Sequence, residues 1–233
     1  MTTVALVRHG EVENPDKILY GRLPGYHLSG RGQQMAERVA AWASDWPVQD
    51  DGRNGGHGEA PLGYLAASPL ERAQQTIAPI AARLAEAGHE LEVATDERLI
   101  EAANIFEGKR FGVGDGALRE PAAWWHLRNP FKPSWGEAYR TIVVRMLAAM
   151  DHARRQAEMV GGDALLVSHQ LPIWVVRSYV TGARLWHDPR NRECALASVT
   201  GFRYERGRIV DVWYTEPAGD LVPGRGSRFV AGA

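Results

Sequence analysis

Thr3-Val4-Ala5-Leu6-Val7-Arg8-His9-Gly10 opens the chain and decides how the rest of it is read. Five apolar or β-branched residues follow one another without a break, then stop at an arginine, a histidine and a glycine. Such a run predicts a buried strand that feeds a loop. Two later stretches repeat the pattern: Tyr64-Leu65-Ala66-Ala67-Ser68 and Ala164-Leu165-Leu166-Val167-Ser168, the second ending in His169. Between the strands the period changes. Ser29 suits an N-cap for a helix with Met35, Val39 and Trp42 on its apolar face. Pro69 suits a first helical position, and Ala, Leu and Ile recur at helical spacing from there to Ala87. A long helix is expected from Glu137 to Val160, stopped by Gly161-Gly162.

Glu92-Val93-Ala94-Thr95 reads as a third, edge-like strand, and Leu196–Tyr204 with Arg208–Tyr214 as a closing hairpin around Gly207. Strands alternating with helices predict an α/β fold, a three-layer α/β/α sandwich with a mostly parallel central sheet. The expected organisation is a single domain over 1–217, with a helical and loop lid around 101–135 and a flexible C-terminal tail over 218–233. Asp50 to Glu59, rich in Gly, Asp and Asn, reads as a mobile surface loop.

Composition narrows the function classes. The chain has 233 residues, 45% hydrophobic and 24% charged, with a formal net charge of -1. Nothing global draws it to nucleic acid or to a membrane, so any anion site must come from a local cluster of cations. The lone cysteine, Cys194, allows neither an intrachain disulfide nor a cysteine-based zinc site and reads as a small buried residue. The start of the chain carries no signal-peptide pattern and no run long enough to span a bilayer, so a cytoplasmic protein is expected.

The chemistry sits where the strands end. In open α/β sheets ligands bind beyond the carboxyl ends of the strands. The first strand delivers Arg8 and His9. The second delivers Ser68, with Arg72 one turn into the next helix, and the last delivers Ser168 and His169. Two arginines and two histidines converging in one crevice would make a phosphate or sulfate site.

Arg8-His9-Gly10-Glu11 after an N-terminal strand resembles the signature of the histidine phosphatase superfamily, the phosphoglycerate mutase-like proteins, branch 1. Ser68-Pro69-Leu70-Glu71-Arg72-Ala73 with Thr76 resembles the second motif of that family, Leu99-Ile100-Glu101 its acid-bearing segment, and Val167-Ser168-His169 its last motif. The matches stand in family order from Val4 to about Tyr214. The resemblance implies that His9 attacks phosphorus to form a phosphohistidine. Arg8, Arg72 and His169 would hold the phosphoryl oxygens, and Glu101 would protonate the leaving alkoxide, with no metal and no cofactor. Asn14 resembles an asparagine that touches phosphate, one residue early.

Departures mark the rest of the pocket. Gln170 stands where the family usually has glycine, at the pocket mouth. Asn104-Ile105-Phe106-Glu107-Gly108 is one residue short of a family stretch, which leaves Glu107 as an alternative acid to Glu101. Arg22 and Tyr20 lie in a loop that could reach the leaving group. Trp124, Trp125 and Trp135 bracket the expected lid near Arg128 and Lys132, while Trp174 reads as a core residue. The partner implied is a small phosphorylated metabolite, with the oligomeric state open. Three functions follow: a phosphomonoester hydrolase, a phosphoglycerate mutase-type transferase, or a non-catalytic phospholigand-binding protein. The segment from Gly108 to Lys132 has no adjacent arginine pair for a substrate carboxylate, although Arg110, Arg119 and Arg128 are spare cations, and this favours the hydrolase.

Overall fold

A computed structural model describes residues 1–47, 58, 60–110, 136–188 and 191–222 of the chain. Six strands form one sheet: β1 (Thr2–Arg8), β2 (Leu62–Ala67), β3 (Val93–Thr95), β4 (Asp163–Ser168), β5 (Val199–Glu205) and β6 (Arg208–Thr215). Their order is β3-β2-β4-β1-β5-β6. The first four are mutually parallel, while β5 runs antiparallel to β1 and β6 antiparallel to β5. The mostly parallel sheet expected from the strand pattern is present, with an antiparallel hairpin on one edge.

Both faces of the sheet are covered, which is why its central strands read as unbroken apolar runs. Val4 and Leu6 of β1 point to one face, where Leu166 joins them against Ile142 and Met146 of α3 (Tyr139–Met159) and Ile173 of α4 (Gln170–Val180). Ala5 and Val7 point to the other, with Leu165 and Val167, against Met35 and Val39 of α1 (Gly30–Ser44) and Ile77 and Ile80 of α2 (Glu71–Glu86). The two-residue alternation of a strand thus feeds two separate cores from one sequence. Register brings the site together: Arg8 lies opposite Ser168, and Ala67 opposite Val167.

Several local expectations hold and several shift. Ser29 caps α1, accepting from the Gly32 N–H at 3.0 Å. The hairpin turns at Arg206 and Gly207, both with positive φ (50° and 76°), a backbone twist that suits tight antiparallel connections. Pro69 does not open α2. The helix begins at Glu71 after an extended Leu70, and Pro69 stands in the turn leaving β2. The long helix starts at Tyr139 rather than Glu137, whose N–H is taken instead by the Ala103 carbonyl at 2.9 Å.

The helix α4 directly after His169 escapes a reading by pattern. It holds three β-branched valines and Pro172, which is tolerated because the first turn has no intrahelical use for its N–H. Packing continues past Pro217, where the flexible tail was expected to begin. Ala218 is buried, Leu221 and Val222 rest against the second core, and Asp220 pairs with Arg38. Residues 223–233, most of the Asp50–Glu59 loop, and the lid residues Arg119, Trp124, Trp125, Arg128, Lys132 and Trp135 lie outside the described residues.

Candidate active site

The crevice beyond the carboxyl ends of β1, β2 and β4 is built by short loops held by backbone hydrogen bonds. The His9 N–H donates to the Ser168 carbonyl at 3.1 Å, Arg8 N–H to Ser198 at 3.0 Å, and Ser68 N–H to Val167 at 2.9 Å. Gly10 is needed for close approach, since a Cβ there would stand 2.6 Å from the Gly32 carbonyl oxygen of α1. Its N–H donates to Thr76 Oγ1 at 3.2 Å, and that hydroxyl donates to the Arg72 carbonyl at 2.7 Å. The loop after β1 is thereby bonded to α2 and packed closely against α1.

His9 is fully buried, and its Nδ1–H donates to the Gly10 carbonyl at 2.8 Å. A carbonyl can only accept, so the proton sits on Nδ1 and the lone pair on Nε2 is free. His169 lies beside it, ring centroids 5.1 Å apart, with Nε2 at 2.7 Å from Ser68 Oγ. Arg8 donates one N–H to the Cys194 carbonyl at 2.7 Å, and Arg72 donates one to the Gly21 carbonyl at 2.6 Å. The Arg72 guanidinium stands 4.7 Å over the Tyr20 ring.

What these bonds leave over matters more. Arg8 Nε and Nη2, His9 Nε2, Arg72 Nε, His169 Nδ1 and Glu101 Oε2 are all buried and all without a partner among the described residues. Buried polar groups are nearly always satisfied, so orphaned atoms on five side chains mark a place that can receive a polar guest. Burial, reinforced by Arg72 and Arg8, pushes the His9 imidazole well below its ordinary range, and burial with Arg72 does the same to His169. Both rings are neutral nitrogen bases. Burial also pushes the Glu101 carboxyl up, opposed by the Ala102 N–H and the nearby arginines.

The other sequence-predicted residues sort by their partners. Glu101 Oε1 accepts from Ala102 N–H at 2.8 Å, leaving Oε2 free inside. Glu107 is half-buried and caps its own loop, accepting from Asn104 N–H at 3.2 Å. Asn14 uses both ends of its amide on Ile18, donating to the carbonyl at 2.8 Å and accepting from the N–H at 3.0 Å. Arg22 donates to the Glu101 backbone carbonyl at 2.6 Å and to Glu137 at 2.9 Å, so it props up the Glu101 segment. Glu137 in turn pairs with Arg145. Gln170 is buried in the wall, donating to the Cys194 carbonyl at 3.4 Å and accepting from Arg192 at 3.2 Å. Arg192 has no motif around it and reaches the site only through the fold.

Stability should follow the two neutral histidines. Their pKa values are lowered on folding, so below pH 6.5 the unfolded chain binds protons that the folded chain refuses, and stability falls with pH. Glu101, raised on folding, acts in the opposite sense above the ordinary carboxylate range. We expect wild type, in phosphate-free buffer, to lose up to about 1.4 kcal/mol per histidine per pH unit below 6.5 relative to His9→Asn/His169→Asn. Urea unfolding at pH 7.0 and 5.5 measures this, and parallel profiles would contradict buried neutral rings.

A free imidazole nitrogen, orphaned guanidinium N–H groups and a buried carboxyl raised by desolvation are the chemistry that a phosphoryl-type oxyanion would require. The sequence matches the histidine phosphatase superfamily (branch 1) over residues 4–216, and the chain belongs to that superfamily. It is 54% identical over 217 residues to the uncharacterized protein Rv0525 of Mycobacterium tuberculosis, covering 93% of this chain and 97% of that one.

Among solved structures it resembles the phosphoserine phosphatase of Entamoeba histolytica in complex with 3-phosphoglyceric acid (TM-score 0.66, 20% identity, 94% and 100% of the two chains). It also resembles the mycobacterial glucosyl-3-phosphoglycerate phosphatase Rv2419c complexed with VO3 (TM-score 0.65, 20% identity, 91% and 98%). At that identity these two share the phosphoglycerate mutase-like fold with this chain. No helix among the described residues is long and apolar enough to cross a membrane.

Proposed function

We propose that this protein is a phosphomonoester hydrolase that works through a phosphohistidine on His9 and acts on a small phosphorylated metabolite. The observation that carries the reading is the set of orphaned buried atoms on Arg8, His9, Arg72, Glu101 and His169. A binding site alone would have use for the donors, but not for a free nucleophilic nitrogen beside a buried carboxyl.

The His9 Nε2 lone pair attacks phosphorus in line with the ester oxygen, and the P–O bond to the alcohol breaks as the N–P bond forms. The positive charge that develops on the ring is met by the Gly10 carbonyl at Nδ1–H. Arg8 and Arg72 direct their unpaired N–H groups at the equatorial oxygens, where charge is spread. His169 supplies a further donor when the Ser68 hydroxyl donates to its Nε2 and its own proton sits on Nδ1. Protonated Glu101 gives its proton to the departing oxygen, releasing the alcohol. As carboxylate it then takes a proton from water, whose oxygen attacks phosphorus and breaks the N–P bond. Inorganic phosphate leaves and both residues return to their starting states. The guanidinium groups supply the positive charge, so the reading is a metal-independent one.

Phosphate release from para-nitrophenyl phosphate and a panel of metabolite phosphomonoesters, with and without EDTA, tests this. Turnover that EDTA leaves intact is the expected result. No release from any panel member, or net phosphoryl return to a second hydroxyl in place of release, would sink the hydrolase reading, the latter in favour of a mutase.

A further inference from the structure

One cation beside this pocket has no part in the phosphoryl chemistry. Arg192 is half-buried in the segment between α4 and β5 and is held on two sides by neutral acceptors. His187 Nδ1–H donates to the Leu185 carbonyl at 2.7 Å, which fixes the tautomer and leaves Nε2 to accept the Arg192 Nε–H at 2.8 Å. Gln170 Oε1 accepts from Arg192 Nη1 at 3.2 Å. The amide nitrogen of Gln170 then donates to the Cys194 carbonyl, the same oxygen that accepts from Arg8. Arg192 and Arg8 therefore hang on one rigid frame, with the Gln170 amide between them.

Apart from Arg8 and Arg72, whose free N–H groups face the phosphoryl pocket, the arginines around the site have acids. Arg22 and Arg145 pair with Glu137, Arg98 with Asp96, and Arg177 with Glu193. Arg192 has no carboxylate within ion-pair distance among the described residues, and its Nη2 makes no hydrogen bond among them. A partly desolvated cation left uncompensated is costly unless something charged comes to meet it. The acid that acts on it most strongly is Glu101, which serves the leaving oxygen. A guanidinium whose task was to adjust Glu101 would strip the proton which that acid must carry. Glu101, which the hydrolase reading puts at the leaving oxygen, thus marks the side of the pocket that Arg192 faces, while the Gln170 amide and the Cys194 carbonyl separate Arg192 from Arg8.

We propose that Arg192, positioned by His187 and Gln170, is a second anion subsite that receives a carboxylate or a second phosphoryl group on the leaving-group side of the substrate. The inference rests on the hydrolase reading and narrows it to phosphomonoesters that carry two anionic groups. The His187 ring, flanked by those of Tyr139 and Trp174 at centroid distances of 6.0 and 5.7 Å, gives the subsite a firm wall.

The test is a discrimination ratio. 3-Phosphoglycerate and glycerol 3-phosphate differ by a carboxylate, and fructose 1,6-bisphosphate and fructose 6-phosphate by a phosphoryl group. Wild type should favour the doubly anionic member of at least one pair by about 30-fold in kcat/KM, the worth of a charged hydrogen bond. Arg192→Met should bring that ratio close to one, and Arg192→Lys should retain part of it. The pair that responds tells carboxylate from phosphoryl. A ratio that Arg192→Met leaves in place, or equal falls for both members of each pair, would overturn the subsite.

If wild type hydrolyses none of the four, the hydrolase reading stands or falls on the wider panel above. Calorimetric affinities of the same pairs for His9→Ala, with and without Arg192→Met, then decide the subsite. Selective loss of the doubly anionic ligand supports it, and equal loss or none refutes it.

Discussion

His9→Ala should lower kcat/KM for phosphomonoesters by about 10⁴-fold, roughly 5.4 kcal/mol of transition-state stabilisation. Every other route through this pocket lacks a nucleophile. Arg8, Arg72 and His169 can hold a phosphoryl group, but water reaching phosphorus without His9 must do so unassisted by a covalent intermediate. The loss should appear in kcat rather than in KM, because the donors that bind the ground state remain. Affinity for a non-reacting oxyanion such as vanadate or inorganic phosphate should change far less than the rate, and its measurement separates a lost nucleophile from a collapsed site. The fold tolerates the change at modest cost, since the main-chain bonds of residue 9 to Ser168 and Ala197 do not involve the ring. Retention of the wild-type rate would mean that the free Nε2 is not used.

Glu101→Gln should lose about 10³-fold with an alkyl ester such as glycerol 3-phosphate, within the range measured for a positioned general acid. An alkoxide cannot leave without a proton, whereas nitrophenolate can. With para-nitrophenyl phosphate the first step therefore survives better, and the second, which needs the carboxylate as base, becomes limiting. A burst of nitrophenolate followed by slow turnover is expected. Because burial raises Glu101, the acid form persists above the ordinary carboxylate range, and kcat/KM for alkyl esters should fall as pH rises through that value. Glu107→Gln, at a half-buried carboxylate that caps its own loop, should cost under about tenfold. Reversal of the two magnitudes would transfer the acid role to Glu107.

How much of this was legible in the sequence depended on how local each signal was. Arg8, His9, Ser68 and His169 stand at the ends of apolar runs, so the strands announced them and the parallel register brought them together. Arg72 needed only one helical turn. The Asn14 amide closes a turn on Ile18 four residues away, a use that no spacing rule reports. Arg192 was invisible for the opposite reason. Its partners are Gln170, the first residue of α4, and His187, seven residues past its end, and that helix was itself obscured by its valines and Pro172. The start of α2 moved past Pro69 because the turn leaving β2 keeps Leu70 extended.

The phosphohistidine is most directly tested by trapping it. Glu101→Gln mixed with para-nitrophenyl phosphate, quenched in base during the burst and digested, should yield a phosphoryl group on the peptide that contains His9, stable in base and lost in acid. Turnover with no phosphorylated peptide, or with the group on His169 or any other residue, would contradict a mechanism through His9.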